Sequence, residues 1–268
     1  MHAPMDAEAR HRACVEFRDR LSRDTGTHHT ALTAANCEYL LDTTHQGGEV
    51  SLHSDPGLFY AYLGEAVRAQ TLALDVPNRV KVGWWCFREA AEVHGQPRAM
   101  HSLADCYYFG GRGVARDVAQ AAVWFQRAAD LGYAASKSSL GALLLNGVLS
   151  DGIGEDAARA RGFAITQEAC AQGYCPAIFT VAKCYLTGKG VDKDVARGVA
   201  YLRQLIATEL TSTGDVATVM SPAVRASAQS ALGMCYATGE GVEADTVQAA
   251  LLLERAVGAG RGRCTLNG

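Results

Sequence analysis

The chain of 268 residues has no apolar run of 18, no basic excess, no Cys-x-x-Cys and no histidine after His101. Each absence removes a class of function. Without an apolar run of that length, no membrane-spanning helix is expected. The 25 basic and 28 acidic residues leave a net charge of −3, so nucleic acid is not an expected partner. The first twenty residues mix both charge signs and lack the apolar core of a secretory signal. Nine unevenly spaced cysteines favour reduced thiols in a cytosol-like compartment. An organellar matrix, reached after removal of a targeting segment, is the alternative.

The familiar catalytic signatures are missing too. "TGKGVDKD" has neither the spacing of a Walker A loop nor the preceding strand of a dinucleotide fingerprint. No Gly-x-Ser-x-Gly elbow occurs, although a dispersed triad leaves no local trace. The histidines form no His-x-x-x-His pair; His28 and His29 beside Asp24 are the one place where a loop metal is conceivable. No enzyme, cofactor or metal is therefore expected.

What the sequence does contain is self-similarity, which precedes any reading of motifs. Leu-Gly or an equivalent pair, with a Gly or its substitute seven residues on, recurs at Leu63, Leu103, Leu140, Val181 and Leu232. The intervals are 40, 37, 41 and 51 residues, which a base period of about 36 explains if loops vary. The extra residues fall in "GGRGV", in "GVLSDGIGED" and in the 207–224 insertion. Three times an Asp follows the Val of Gly-x-Gly-Val by three residues: Asp117, Asp194 and Asp245. A small residue comes four later, then a bulky one, and the unit closes with a Gly such as Gly132, Gly173 or Gly260.

Both halves of the unit space apolar residues at i, i+3, i+4 and i+7, so each unit reads as two amphipathic helices. The first Gly ends the first helix in a left-handed cap. Asp caps the second helix and suits its dipole. The small residues at 83, 121, 162, 198 and 249 let the two backbones approach. Cys106, Cys184 and Cys235 share one repeat position at the edge of the buried face, where a small thiol packs well. Of the aromatic run "GWWCF", Cys86 and Phe87 align with the core positions Trp124 and Phe125, leaving Trp84 and Trp85 for a junction or an exposed partner site.

"LADCYYFGGRGVARDVAQAAVWFQRAADLG" and "LGMCYATGEGVEADTVQAALLLERAVGAG" resemble Sel-1-like repeats, relatives of the tetratricopeptide repeat. The resemblance covers roughly residues 55–262 in units near 55–98, 99–135, 136–176, 177–224 and 225–262. The first unit departs from it, with Gln70 in place of the first Gly and Arg79 in place of the Asp. The family implies an all-α, right-handed α-solenoid of about five helix-turn-helix repeats, acting as an adaptor or assembly scaffold without catalysis of its own. Residues 1–54 read as a helical cap, 263–268 as a tail.

In such an array the first helix of each unit lines the groove. Taking the anchor, its successor and the Tyr-like position as inward leaves positions −2, +2 and +5 on the open side. The expected binding residues are Glu65, Arg68, His101, Asp105 and Tyr108 in the first two units, and Leu145, Phe179, Lys183, Leu186 and Met234 in the last three. The second group would form an apolar stripe for a peptide segment or helix of a protein partner. Coverage by the 207–224 insertion is the alternative, as is permanent docking as a structural subunit of a large complex.

Overall fold

The computed structural model describes residues 15, 19, 60–61, 64–65, 79–110, 114–149, 152, 154–208 and 220–261. Most of the expected N-terminal cap, Arg68, the tail and positions 209–219 of the long insertion lie outside the described residues. The chain divides into two compact units, Met1–Leu131 and Gly132–Gly268. Among the described residues both are helical, with no β-strand.

The first unit contains α1 (Arg79–Glu92), α2 (Pro97–Phe109) and α3 (Val118–Asp130). Helix α2 packs against both α1 and α3. The second unit contains α4 (Ala134–Leu145), α5 (Glu155–Ala171), α6 (Cys175–Thr187), α7 (Val195–Thr208), α8 (Pro222–Thr238) and α9 (Thr246–Arg261). Helices adjacent in sequence pack in pairs, and α6 also touches α4 and α8. The second unit is thus a row of two-helix repeats.

Local chemistry sets the helix ends. Pro97, Pro176 and Pro222 sit in the first turns of α2, α6 and α8, where a missing N–H costs nothing. Gly188 and Gly239 adopt the left-handed conformation after α6 and α8, and their N–H groups donate to the Cys184 and Cys235 carbonyls at 2.8 and 2.9 Å. The Asp side chains cap the second helices as expected. Asp117 accepts from the Gln120 N–H at 3.0 Å, Asp194 from Arg197 at 2.9 Å, and Asp245 from both Val247 and Gln248 at 3.0 Å. Each Asp backbone N–H also donates to the Tyr-position carbonyl of the preceding helix: Tyr107 at 2.8 Å, Tyr185 at 2.9 Å and Tyr236 at 3.0 Å. The turn is fastened from both sides.

The second Gly of Gly-x-Gly does more than continue the turn. It lies near the start of the preceding unit's second helix: Gly190 on Arg159 and Gly241 on Val195. A Cβ at Gly241 would come within 2.7 Å of the Val195 carbonyl carbon. Within a pair, small residues face each other. A Cβ on Gly162 would lie 2.8 Å from the Gly141 oxygen, and one on Gly198 3.0 Å from the Ala182 oxygen.

The close approach brings large side chains into shared cores. Leu202 and Leu205 of α7 are fully buried among Ile178, Leu232 and Leu252; burying one such side chain contributes about 1.5–3 kcal/mol. In the first unit Cys86 and Phe87 are fully buried, as their alignment predicts. Trp85 joins them at 8% exposure, while Trp84 is half-buried under the Arg88 guanidinium. Neither ring is an exposed partner site.

Candidate interaction surface

A helix turns about 100° per residue, so the face opposite the anchor, its successor and the Tyr-like position is centred on positions +2 and +6. Positions −2 and +5 lie about 70–90° to one side. The structure follows this geometry. In the second unit the row reads Ala142 on α4 and Asn146 at its C-cap, Lys183 and Thr187 on α6, and Met234 and Thr238 on α8. All but the half-buried Ala142 are exposed.

The apolar stripe expected there does not exist, and three of its members are corrected. Leu145, at 3% exposure, belongs to the core with Phe163, Val181, Cys184 and Tyr185. Phe179 and Leu186 are half-buried against the core formed by α6, α7 and α8. Leu186 also covers Gly198, where a Cβ would meet its Cγ at 2.8 Å. The physical reason is stacking: a first helix is packed not only by its own partner but by the neighbouring pairs, which cover the flanks at −2 and +5. Lys183 and Met234 do lie in the open, Met234 at 55% exposure.

In the first unit the expected polar residues are engaged in local pairs. Both carboxylate oxygens of Glu65 accept from Arg98 at 2.8 Å, from Nε and Nη2. His101 Nε2 lies 3.8 Å from Asp105 Oδ2, one turn along α2, and its ring packs against Phe125 with centroids 5.3 Å apart. Tyr108 carries the Arg116 guanidinium 5.8 Å above its ring, and Arg116 Nε donates to the Tyr108 carbonyl at 3.0 Å. Phe109, at position +6, meets the Tyr108 edge at 5.0 Å and is itself 73% exposed. The wheel would have singled it out had +6 been read as the centre of the open face.

Beside the second unit's row lies an open cleft of about 850 Å³, formed by Lys183 and Thr187 of α6, the turn 188–192, and Asp156, Arg159 and Ala160 of α5. Its charges are partly satisfied. Arg159 donates to Glu155 and Asp156, and Lys189 Nζ donates to Asn146 Oδ1 at 2.9 Å. Lys183 stands at its edge on the exposed row.

The repeated cysteines behave as packing atoms. Burial pushes the Cys184 thiol from 9.0 up to about 11, against a smaller opposing pull from Lys189 and Lys183. Burial also raises Cys86, Cys170 and Cys235. Such thiols stay protonated at neutral pH, and the thiolate is the nucleophilic and metal-binding form. Among the described residues no three His, Cys, Asp or Glu side chains converge on a metal position, and no helix is long and apolar enough to cross a membrane.

Comparison with known proteins agrees with this architecture. The Sel1 repeat model matches residues 97–133, 176–207 and 226–260. The chain is similar to the Sel1 repeat protein from Oxalobacter formigenes, at 25% identity over 83% of this chain and 80% of that one, with a TM-score of 0.61. It is also similar in fold to c5321, described as a protective antigen of uropathogenic Escherichia coli strains displaying an SLR fold. There identity is 20% and the TM-score 0.62, over 96% of this chain and 50% of that one. No curated protein matches the sequence. The helix pairs joined by Gly-x-Gly-Val turns, the Asp caps and the three matched segments together show that the chain contains Sel1 repeats at 97–133, 176–207 and 226–260.

Proposed function

We propose that the protein is a non-catalytic protein–protein interaction scaffold, with the exposed first-helix row of the second unit as its docking surface. The observation that carries this reading is the run Asn146, Lys183, Thr187, Met234 and Thr238, presented side by side on packed helices next to an open cleft. A rigid row of repeated positions gives a partner a fixed series of contacts without ordering the scaffold itself. The surface is polar around Lys183 and becomes apolar at Met234. It therefore suits a peptide segment that carries an acidic residue opposite Lys183 and an apolar one opposite Met234.

The non-catalytic part of the reading is supported by the raised pKa of the buried thiols. A reducing, cytosol-like compartment belongs to the same proposal, because Cys86 and Cys184 serve as buried packing groups rather than bridge halves. The test is affinity purification with the wild-type chain and a Lys183→Glu, Met234→Glu variant, after both show the same melting temperature. Proteins recovered with the wild type and lost with the variant support the surface. An identical set of recovered proteins overturns it.

A further inference from the structure

Within the second unit, one edge of each of the second helices α5 and α7 is covered by the first helix of the pair that follows. Val195, Val199 and Ile206 of α7 pack into the core that holds Ala228, Leu232 and Cys235 of α8. Phe163 of α5 packs likewise with Val181, Cys184 and Tyr185 of α6. The turn completes each junction, because its second glycine settles on the backbone at the head of the same edge: Gly190 on Arg159, and Gly241 on Val195. Counted from the small residue that meets the first helix (Gly162 in α5, Gly198 in α7, Ala249 in α9), the covered positions are the same in both helices: 159, 163 and 170 in α5, then 195, 199 and 206 in α7.

The same positions in α9 are Thr246, Ala250 and Val257, and all three are exposed. Ala250 stands open where Phe163 and Val199 are 8% and 2% exposed. Val257 is 53% exposed where Cys170 and Ile206 are half-buried against a core. This edge repeats the shape that twice receives a helix ending in Gly-x-Gly.

We propose that the α9 edge is a second docking surface, distinct from the first-helix row, and that its occupant is a partner chain presenting a Sel1-type first helix and its Gly-x-Gly turn. The partner's helix fills the seat over Ala250 and Val257, and its second glycine rests on the backbone at Thr246. The two internal junctions identify this occupant, since both cover the edge with that one motif. A generic apolar helix would satisfy Val257 without needing a glycine at the turn.

The probe is a fluorescein-labelled synthetic peptide of residues 222–245, helix α8 with its turn, held helical by a lactam between the exposed positions 234 and 238. It is titrated into the full chain and followed by fluorescence polarisation. Saturable binding is expected, weakened about tenfold or more by Val257→Glu in the chain, a change of about 1.4 kcal/mol. Because Val257 is exposed, that variant should melt with the wild type. The peptide carrying Gly241→Ala should lose about as much, because its new Cβ meets backbone at Thr246. No saturable binding of the helical peptide overturns the proposal. So does binding indifferent to either substitution, which would indicate mere apolar adhesion.

Discussion

Gly190 rests on the backbone of Arg159, so close that a Cβ would overlap the carbonyl oxygen and lie 2.9 Å from its carbon. The contact joins two repeats through main-chain atoms, which cannot move aside as a side chain can. Gly190 also has φ +73. Gly147 has a similar φ of +69, yet a Cβ there meets nothing within 4 Å. The pair separates backbone strain from steric contact. Gly147→Ala should destabilise the protein by about 1 kcal/mol from the left-handed conformation alone. Gly190→Ala should destabilise it by about 3 kcal/mol or more, as overpacking adds to that strain. Urea unfolding of both variants checks this; equal losses would show that the turn tolerates the contact.

Leu145 and Met234 occupied one expected stripe but have opposite surroundings. Leu145→Ala removes a buried side chain from the core of Phe163, Val181 and Tyr185, and should destabilise by about 2–5 kcal/mol. Met234→Ala, at a position 55% exposed, should stay within about 0.5 kcal/mol of wild type. Denaturant midpoints measure both. A small loss at Leu145 would mean that the −2 and +5 flanks are open after all.

That contrast shows what was legible in the sequence. The Gly-x-Gly-Val turn, the Asp caps and the two-helix period are local, so each copy could be read against the others and the helix pairs emerged. The small residues at 121, 198 and 249 were legible for the same reason, since each follows its Asp cap by four residues. Burial of Leu145 was not, because Val181 and Tyr185 reach it from the next repeat, and a single-helix wheel contains no such neighbour. The same limit hid the pairing of Glu65 with Arg98 and of Arg203 with the Tyr236 hydroxyl at 2.9 Å. Both join residues 33 positions apart through long side chains with no fixed spacing.

Asp245 accepts two backbone N–H groups, from Val247 and Gln248, where Asp117 and Asp194 each accept one. Replacing it with Ala leaves donors at the start of α9 uncapped and should cost about 1 kcal/mol. Because α9 packs chiefly on α8, the loss should appear first as faster amide hydrogen exchange in α9. Asp245→Asn keeps an oxygen in place and should recover most of the protection. Uniform exchange changes across all helices would contradict a local cap.

The Cys184 thiol supplies the pH dependence. Its folded-state pKa is about 11 against an ordinary 9.0, chiefly because burial penalises the thiolate. Above pH 9 the unfolded chain releases a proton that the folded chain retains, so deprotonation favours unfolding. The contribution to stability is therefore intact below about pH 9 and falls as pH rises towards about 11. Cys86, fully buried and raised in the same direction, acts in the same sense. Melting temperatures measured between pH 8 and pH 11 should decline, and Cys184→Ala should flatten part of the decline while lowering stability at pH 8. Iodoacetamide gives a second reading, because it alkylates the thiolate: Cys86 and Cys184 should resist it in the folded protein at pH 8 and react after denaturation. Rapid native labelling of Cys184 would show that its thiol is neither buried nor held protonated.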